Sequence, residues 1–379
     1  MGKKETWIFL LGLAIFVAGC QKAPVKIGFI GCITGKGSDL GISAKNGAFL
    51  ARDYLNERGG IRGRNIEILV KDDRMDPEQS RRAVEELEQE HAYAIIGPLT
   101  SNTAVASTAE ADKREILLMS PSATTDELTG LDDWFFRIQP PNSYETRNIA
   151  QFIIDTVRPK KIAVFIDLSN SNYTLDWYNV FKEDMSLHGH IRLIPMEYDS
   201  REEISYYSMV RGLLIEKPDC VLLIVNGLDA ALICQQMDKM KIAIPVFSSI
   251  WAKTTEFISH AGKAGEGVFF FQHYEEESRD PFYLEFKDLY LSRYGVLPDY
   301  AAKSTFEALL VLKEALSEDL NRKRVKAVIR EKKRFRALQG DILFSPQGDP
   351  LYDEPSPKKL VVVHEGRFVA VGALESEDK

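Results

Sequence analysis

Two kinds of loop in this sequence carry residues that could do chemistry. The first is "KIGFIGCITGKGSDLG", residues 26–41, where an apolar run meets five glycines and a Gly-Lys pair. Such a loop suits a phosphate cradle, but a P-loop follows the pattern G-x-x-x-x-G-K-[ST]. Counting back from Gly35-Lys36, the position that needs glycine holds Ile30, and Gly37 stands where a magnesium-binding hydroxyl belongs. A dinucleotide fingerprint starting at Gly35 fails at Leu40. The pattern therefore argues against a nucleotide, and the glycines are expected to let the backbone turn closely into a cleft, with Leu40 as an apolar contact. The second kind of loop is rich in hydroxyls. "GPLTSNTA" supplies Ser101 and Asn102, and "SPSATTDELT" supplies Ser122 and Thr124. Short hydroxyl side chains beside free N–H groups at helix starts can hold an anion without a formal countercharge. The plainer alternative is that they only cap helices. Two such loops side by side favour a carboxylate site.

Signatures of covalent or metal chemistry are missing. The sequence has no G-x-S-x-G elbow, no S-x-x-K beside S-D-N and no H-E-x-x-H. His188-x-His190 reads as a solvated turn, and Asp72-Asp73 with Asp76 lacks the spacing of an EF-hand loop. No C-x-x-C occurs, so a zinc ribbon or thioredoxin-like site is not supported. The reading is a binding protein rather than an enzyme, with no cofactor and no metal.

These loops need elements to position them. Apolar strands are expected at 26–31, 66–71, 93–97 and 116–120, with amphipathic helices at 41–58, 77–90 and 102–112 between them. Asp76 and Pro77 mark the start of one helix, with Gln79 placed for a capping box. After Pro140-Pro141 the alternation resumes, with strands at 161–166, 191–196, 220–225 and 245–247. Such alternation means parallel sheets covered by helices on both faces. The loops of this second series offer Tyr173, then Asn226 and Gly227, then Ser249 and Trp251. Aromatic faces at those strand ends suit closure over a small molecule. A strand at 267–273, three helices and a final group of strands follow. About 360 residues beyond the N-terminal segment exceed one comfortable core, so two lobes are expected. Ligands in doubly wound sheets sit beyond the carboxyl ends of the strands, which here means between the lobes.

The N-terminus reads "MGKKETWIFLLGLAIFVAGCQK". Two lysines precede an apolar run too short for a membrane span, which fits a signal peptide over residues 1–19. Val17-Ala18-Gly19-Cys20 resembles the lipobox of bacterial lipoproteins, which implies an exported chain anchored through lipid on Cys20 and facing the periplasm or cell exterior. The full chain carries a net charge of −8. Loss of residues 1–19 would make it −9, which argues against nucleic acid as a partner. The other three cysteines, Cys32, Cys220 and Cys234, cannot all be paired and are expected as buried thiols.

Beyond these residues, "KIGFIGCITG", "GAFLARDYLNERGGIRGRNIEILVKDDRMDPEQS", "AIIGPLTSNTA", "ILLMSPSATTDELT" and "IPVFSS" with "GKAGEGVFF" carry a family likeness. The sequence resembles type I periplasmic substrate-binding proteins of ABC transporters, in the branched-chain amino-acid binding family. The resemblance implies an α/β fold of two doubly wound parallel-sheet lobes joined by a three-segment hinge. Residues 24–140 plus 274–335 would form one lobe, and 141–273 plus 336–375 the other. It further implies that a ligand carboxylate meets Ser101–Asn102 and Ala123–Thr124, and that Tyr173 is the family's second-lobe tyrosine. Amino-acid binders of the family place an acidic residue after the strand ending at Phe247, whereas Ile250 and Trp251 stand here. Either another carboxylate, with Asp229 nearest in sequence, pairs the ligand ammonium, or the ligand is not an α-amino acid. The expected role is a monomeric, lipid-anchored receptor that delivers a small carboxylate-bearing molecule to an ABC permease. A sensory module of the same fold is the alternative.

Overall fold

The computed structural model describes residues 22–351 and 360–372; Cys20 and the expected signal peptide lie outside the described residues. The chain enters at β1 (Val25–Gly31), then α1 (Ser38–Glu57), β2 (Ile66–Asp72), α2 (Pro77–Gln89), β3 (Ile95–Ile96), α3 (Ser101–Arg114), β4 (Leu118–Ser120) and β5 (Phe135–Arg137). These five strands form one parallel sheet in the order β2-β1-β3-β4-β5. A central parallel strand is covered on both faces and so reads as an apolar run. Val25, Ile27 and Phe29 of β1 join one core cluster with α1, while Ile30 joins the cluster under α2 and α3. The N-terminus of α2 is capped as the sequence indicates, with Asp76 Oδ1 accepting from Gln79 N at 2.7 Å.

The second lobe follows as α4 (Asn142–Thr156), β6 (Lys161–Asp167), α5 (Ser171–Ser186), β7 (Arg192–Tyr198), α6 (Tyr206–Glu216), β8 (Cys220–Ile224), α7 (Gly227–Lys239), β9 (Val246–Ser248), α8 (Thr255–Ala261) and β10 (Phe269–Phe271). Along β6 the faces alternate again. Ala163 and Phe165 enter one core, and Ile162, Val164 and Ile166 enter the other. The chain then returns to the first lobe with α9 (Pro281–Tyr294), α10 (Tyr300–Glu318) and α11 (Val325–Lys332). Helix α10 lies so close to α1 that a Cβ on Gly47 would meet Ala302 O at 2.3 Å. Next come β11 (Arg334–Arg336), β12 (Asp341–Phe344) and β13 (Pro350–Leu351), and last β14 (Leu360–His364) and β15 (Arg367–Ala370). The seven-stranded sheet runs β15-β14-β10-β9-β8-β6-β7, with β14 antiparallel to β10.

One boundary differs from expectation. Residues from 336 onward were expected in the second lobe, yet β11–β13 form a small separate sheet on the first. Phe335, Leu338 and Phe344 join the first-lobe core, and buried Arg137 of β5 pairs with Asp349 at 2.6 Å. Leu351 thus belongs to the first lobe, and Leu360 to the second. The part of the expected second lobe beyond residue 372 lies outside the described residues. Cys32, Cys220 and Cys234 are buried free thiols, each pushed up to about 12 by burial.

Candidate ligand-binding cleft

The carboxyl ends of both sheets face each other, and a small cavity lies between them. The first lobe supplies Leu40, Leu99, Thr100, Ser101, Ser122, Thr124 and Tyr300; the second supplies Asn170, Tyr173, Ile250 and Trp251. Six of the eleven residues singled out in the sequence therefore meet here: Leu40, Ser101, Ser122, Thr124, Tyr173 and Trp251. Its free volume is about 20 Å³, room for about one water and far below the roughly 300 Å³ at which small-molecule pockets begin, so the lobes stand closed on each other here.

The first-lobe wall is built from hydroxyls at helix and strand ends. Ser101 opens α3, whose first-turn N–H groups point toward the cavity end of the helix. Its Oγ accepts from Thr125 N at 3.3 Å, and Ser122 Oγ donates to Leu99 O at 2.7 Å. Thr124 Oγ1 is buried without a hydrogen-bond partner. A buried hydroxyl left unpaired is costly, and a ligand oxygen placed there would remove that cost.

The second-lobe wall is aromatic. Tyr173 and Trp251 meet edge-on, with centroids 5.7 Å apart at 81°. Such pairs favour this geometry because the positive ring edge meets the negative face. Tyr173 Oη is also buried without a hydrogen-bond partner; burial, then the charge of Glu145, raises its pKa well above the usual tyrosine range. The Ile250–Trp251 turn is held from behind by Glu145, whose Oε1 accepts from Ile250 N at 2.7 Å. Full burial pushes that carboxyl up to about 8.

The other five expected residues take different parts. Asn102 bridges the lobes: its N donates to Asn170 Oδ1 at 3.1 Å, its Nδ2 to Ser169 O at 3.2 Å, and its Oδ1 accepts from Asn172 N at 2.7 Å. Ala123 turns into its own loop, its N donating to Ser120 Oγ at 3.0 Å. Asn226 caps α7 by accepting from Asp229 N at 2.9 Å and donates to Asp167 Oδ2 at 3.1 Å. A Cβ on Gly227 would lie 2.4 Å from Thr254 Oγ1, so glycine there permits the close approach of Thr254 within the second lobe. Ser249 is fully buried just before the turn, outside the cavity wall.

Sequence reasoning did not count Leu99, Asn170 and Tyr300 as site residues, and Thr100 and Ile250 stood in the loops it marked without being counted among them. Asn170 and Ile250 sat inside stretches already marked as strand-end loops. Tyr300 carried no such signal, because α10 joins the cleft only through the return of the chain to the first lobe.

The lobes are also fastened outside the cavity. Lys36, from the Gly-Lys pair, reaches across to Asp229 Oδ1 at 3.0 Å and donates to Ser200 O at 2.9 Å. Asp229 accepts as well from Tyr198 Oη at 2.9 Å and Tyr206 Oη at 2.7 Å. Nearby, Asp39 of the first lobe and Glu256 of the second are hydrogen-bonded carboxyls. Burial, then the charge of Asp39, pushes Glu256 up to about 7.

A family model described as "Periplasmic binding protein" matches residues 24–351. The Leu/Ile/Val-binding protein BraC3 of Rhizobium johnstonii is 23% identical over 268 residues, 70% of this chain and 72% of that protein. Among solved structures, the branched-chain amino acid transporter substrate-binding protein LivJ of Streptococcus pneumoniae, in complex with isoleucine, superposes with a TM-score of 0.82. It is 22% identical and covers 91% of this chain and 97% of its own. A solute-binding protein of an ABC transporter from R. palustris, in complex with benzoate, gives a TM-score of 0.81 at 20% identity, covering 92% and 95%. These likenesses in structure establish the shared fold.

Proposed function

Since the chain belongs to the periplasmic binding protein family, we propose that it is an extracytoplasmic solute receptor delivering a small carboxylate-bearing molecule to an ABC permease. The observation that carries this reading is the meeting, across one inter-lobe cavity, of the unpartnered Thr124 hydroxyl and the Tyr173–Trp251 pair. The carboxylate lies against Ser101, Thr124 and the first turn of α3, where N–H groups and the helix dipole favour negative charge. The body of the ligand lies against the aromatic wall. Closure of the lobes completes the site, so affinity reflects contacts made only in the closed arrangement. The relatives support this reading, being named for binding Leu/Ile/Val or solved with isoleucine or benzoate. In this account the protein is exported, held at the membrane by lipid on Cys20, and works as a monomer.

The test is a thermal-stability screen of small carboxylates, followed by product analysis on each hit. Stabilisation without turnover is expected. Product formation overturns the reading. Loss of uptake on deletion of the gene supports delivery to a permease; unchanged uptake with loss of a transcriptional or chemotactic response favours a sensory role instead.

A further inference from the structure

Resting on that reading of the cavity, the charges around it narrow the ligand further. None of the residues lining the cavity carries a charge. Of the carboxylates around it, Asp299 beside Tyr300 accepts from Ser43 Oγ at 2.5 Å and from Ala302 N at 3.0 Å. Asp229 is taken by Lys36, Tyr198 and Tyr206. Asp39 is hydrogen-bonded to Thr254 and to Glu256, a pair of acids that together hold a proton more readily than either alone. Glu145 faces Ile250 N behind the turn, and burial that raises it to about 8 keeps it protonated at neutral pH.

Several neutral acceptors of the lining already receive a hydrogen bond. Leu99 O receives Ser122 Oγ at 2.7 Å, Thr100 O receives Ala104 N at 2.9 Å, and Thr124 O receives Asn142 N at 2.7 Å. Ile250 O receives Lys253 N at 2.9 Å, and Asn170 Oδ1 receives Asn102 N at 3.1 Å. What remains unpartnered at the wall is hydroxyl: Thr124 Oγ1 on one side and Tyr173 Oη on the other. A hydroxyl can donate to an anion or accept from an ammonium, but it brings no counter-charge, and a buried ammonium without one is heavily unfavourable. Much of the remaining lining is apolar: Leu40, Leu99 and the Tyr300 ring from the first lobe, and Ile250, Trp251 and the Tyr173 ring from the second.

We infer that the cavity takes a monocarboxylate with an apolar body and no α-ammonium group, and discriminates against the α-amino acid of the same skeleton. The discrimination arises because the site solvates one end of the molecule and leaves any cation beside that end without a counter-charge.

Matched pairs test this directly by calorimetry at pH 7: 4-methylpentanoate against leucine, and 3-phenylpropanoate against phenylalanine. Each pair differs only in the ammonium. The acid is expected to bind at least about tenfold more tightly than its amino acid in at least one pair, and that preference is expected to persist in Trp251→Ala. Equal binding, or tighter binding of the amino acids, overturns the inference and leaves the receptor reading in place. Binding of none of the four probes also overturns it. A carboxylate screen with no stabilising compound at all overturns the receptor reading with it.

Discussion

The two walls of the cleft are built from opposite chemistry. The first-lobe wall presents small hydroxyl side chains at the ends of α3 and β4, set by local caps and turns. The second-lobe wall presents an aromatic pair and a turn held in place by a buried acid. In the proposed account the difference teaches how a site without charge would be selective: one wall would fix the head of the molecule by direction, and the other would accept its body by area. The hydroxyl wall needs no ionisable support, whereas the aromatic wall hangs on Glu145, a fully buried carboxyl far from its ordinary pKa.

That contrast can be broken first at Glu145. Its pKa rises from an ordinary 4.5 to about 8 on folding. The stability it contributes is therefore fully present below about pH 4.5 and lost as pH rises through 8. Glu145→Gln keeps an acceptor for Ile250 N and cannot ionise. Its unfolding free energy should exceed that of the wild type increasingly between pH 5 and 8, by on the order of 2–4 kcal/mol at the upper end. Denaturant titrations at several pH values check this, and parallel curves for the two proteins contradict it.

The next effect belongs to the hydroxyl wall. Thr124→Val retains shape and removes the donor. A hydrogen bond to a charged group contributes about 1.5–3 kcal/mol, so carboxylate affinity should fall roughly 10- to 100-fold, equally for every acid that binds. Calorimetry that shows unchanged affinity removes Thr124 from the site. Trp251→Ala should instead act by area: about tenfold for 3-phenylpropanoate and less than about threefold for acetate-sized acids. An equal loss for both would erase the distinction between the walls. Smallest is Asn102→Ala, which removes the side-chain part of a bridge between lobes but touches no cavity surface. It should weaken all acids by about threefold, through the closure equilibrium alone; a ligand-dependent loss would place Asn102 in direct contact.

Much of the fold was legible because its signals are local. The strand β1 reads as an apolar run because helices cover both its faces, and Asp76-Pro77 marks the start of α2 by its capping chemistry. The six cleft residues that the structure brings together follow the carboxyl ends of strands, either in the loop or in the first turns of the next helix. What stayed hidden depends on distant partners. Phe335, Leu338 and Phe344 carry an apolar pattern that either lobe could bury; the ring of Phe136, 5.9 Å from that of Phe344, and the pairing of Arg137 with Asp349 place it on the first. Tyr300 enters the cavity only after two crossings between lobes. Lys36 shows the same limit: its glycine neighbours suggested phosphate, but the partner it reaches is Asp229, on the facing lobe. Asp229, the nearest candidate for an ammonium in sequence, is for that reason engaged elsewhere.

The most direct measurement is a crystal structure of the protein with 3-phenylpropanoate bound. The account predicts the carboxylate within about 3 Å of Thr124 Oγ1, beside the first turn of α3, and the ring against Tyr173 and Trp251. A molecule bound in the reverse sense, with its carboxylate toward Trp251, or bound outside the inter-lobe cavity, would contradict it.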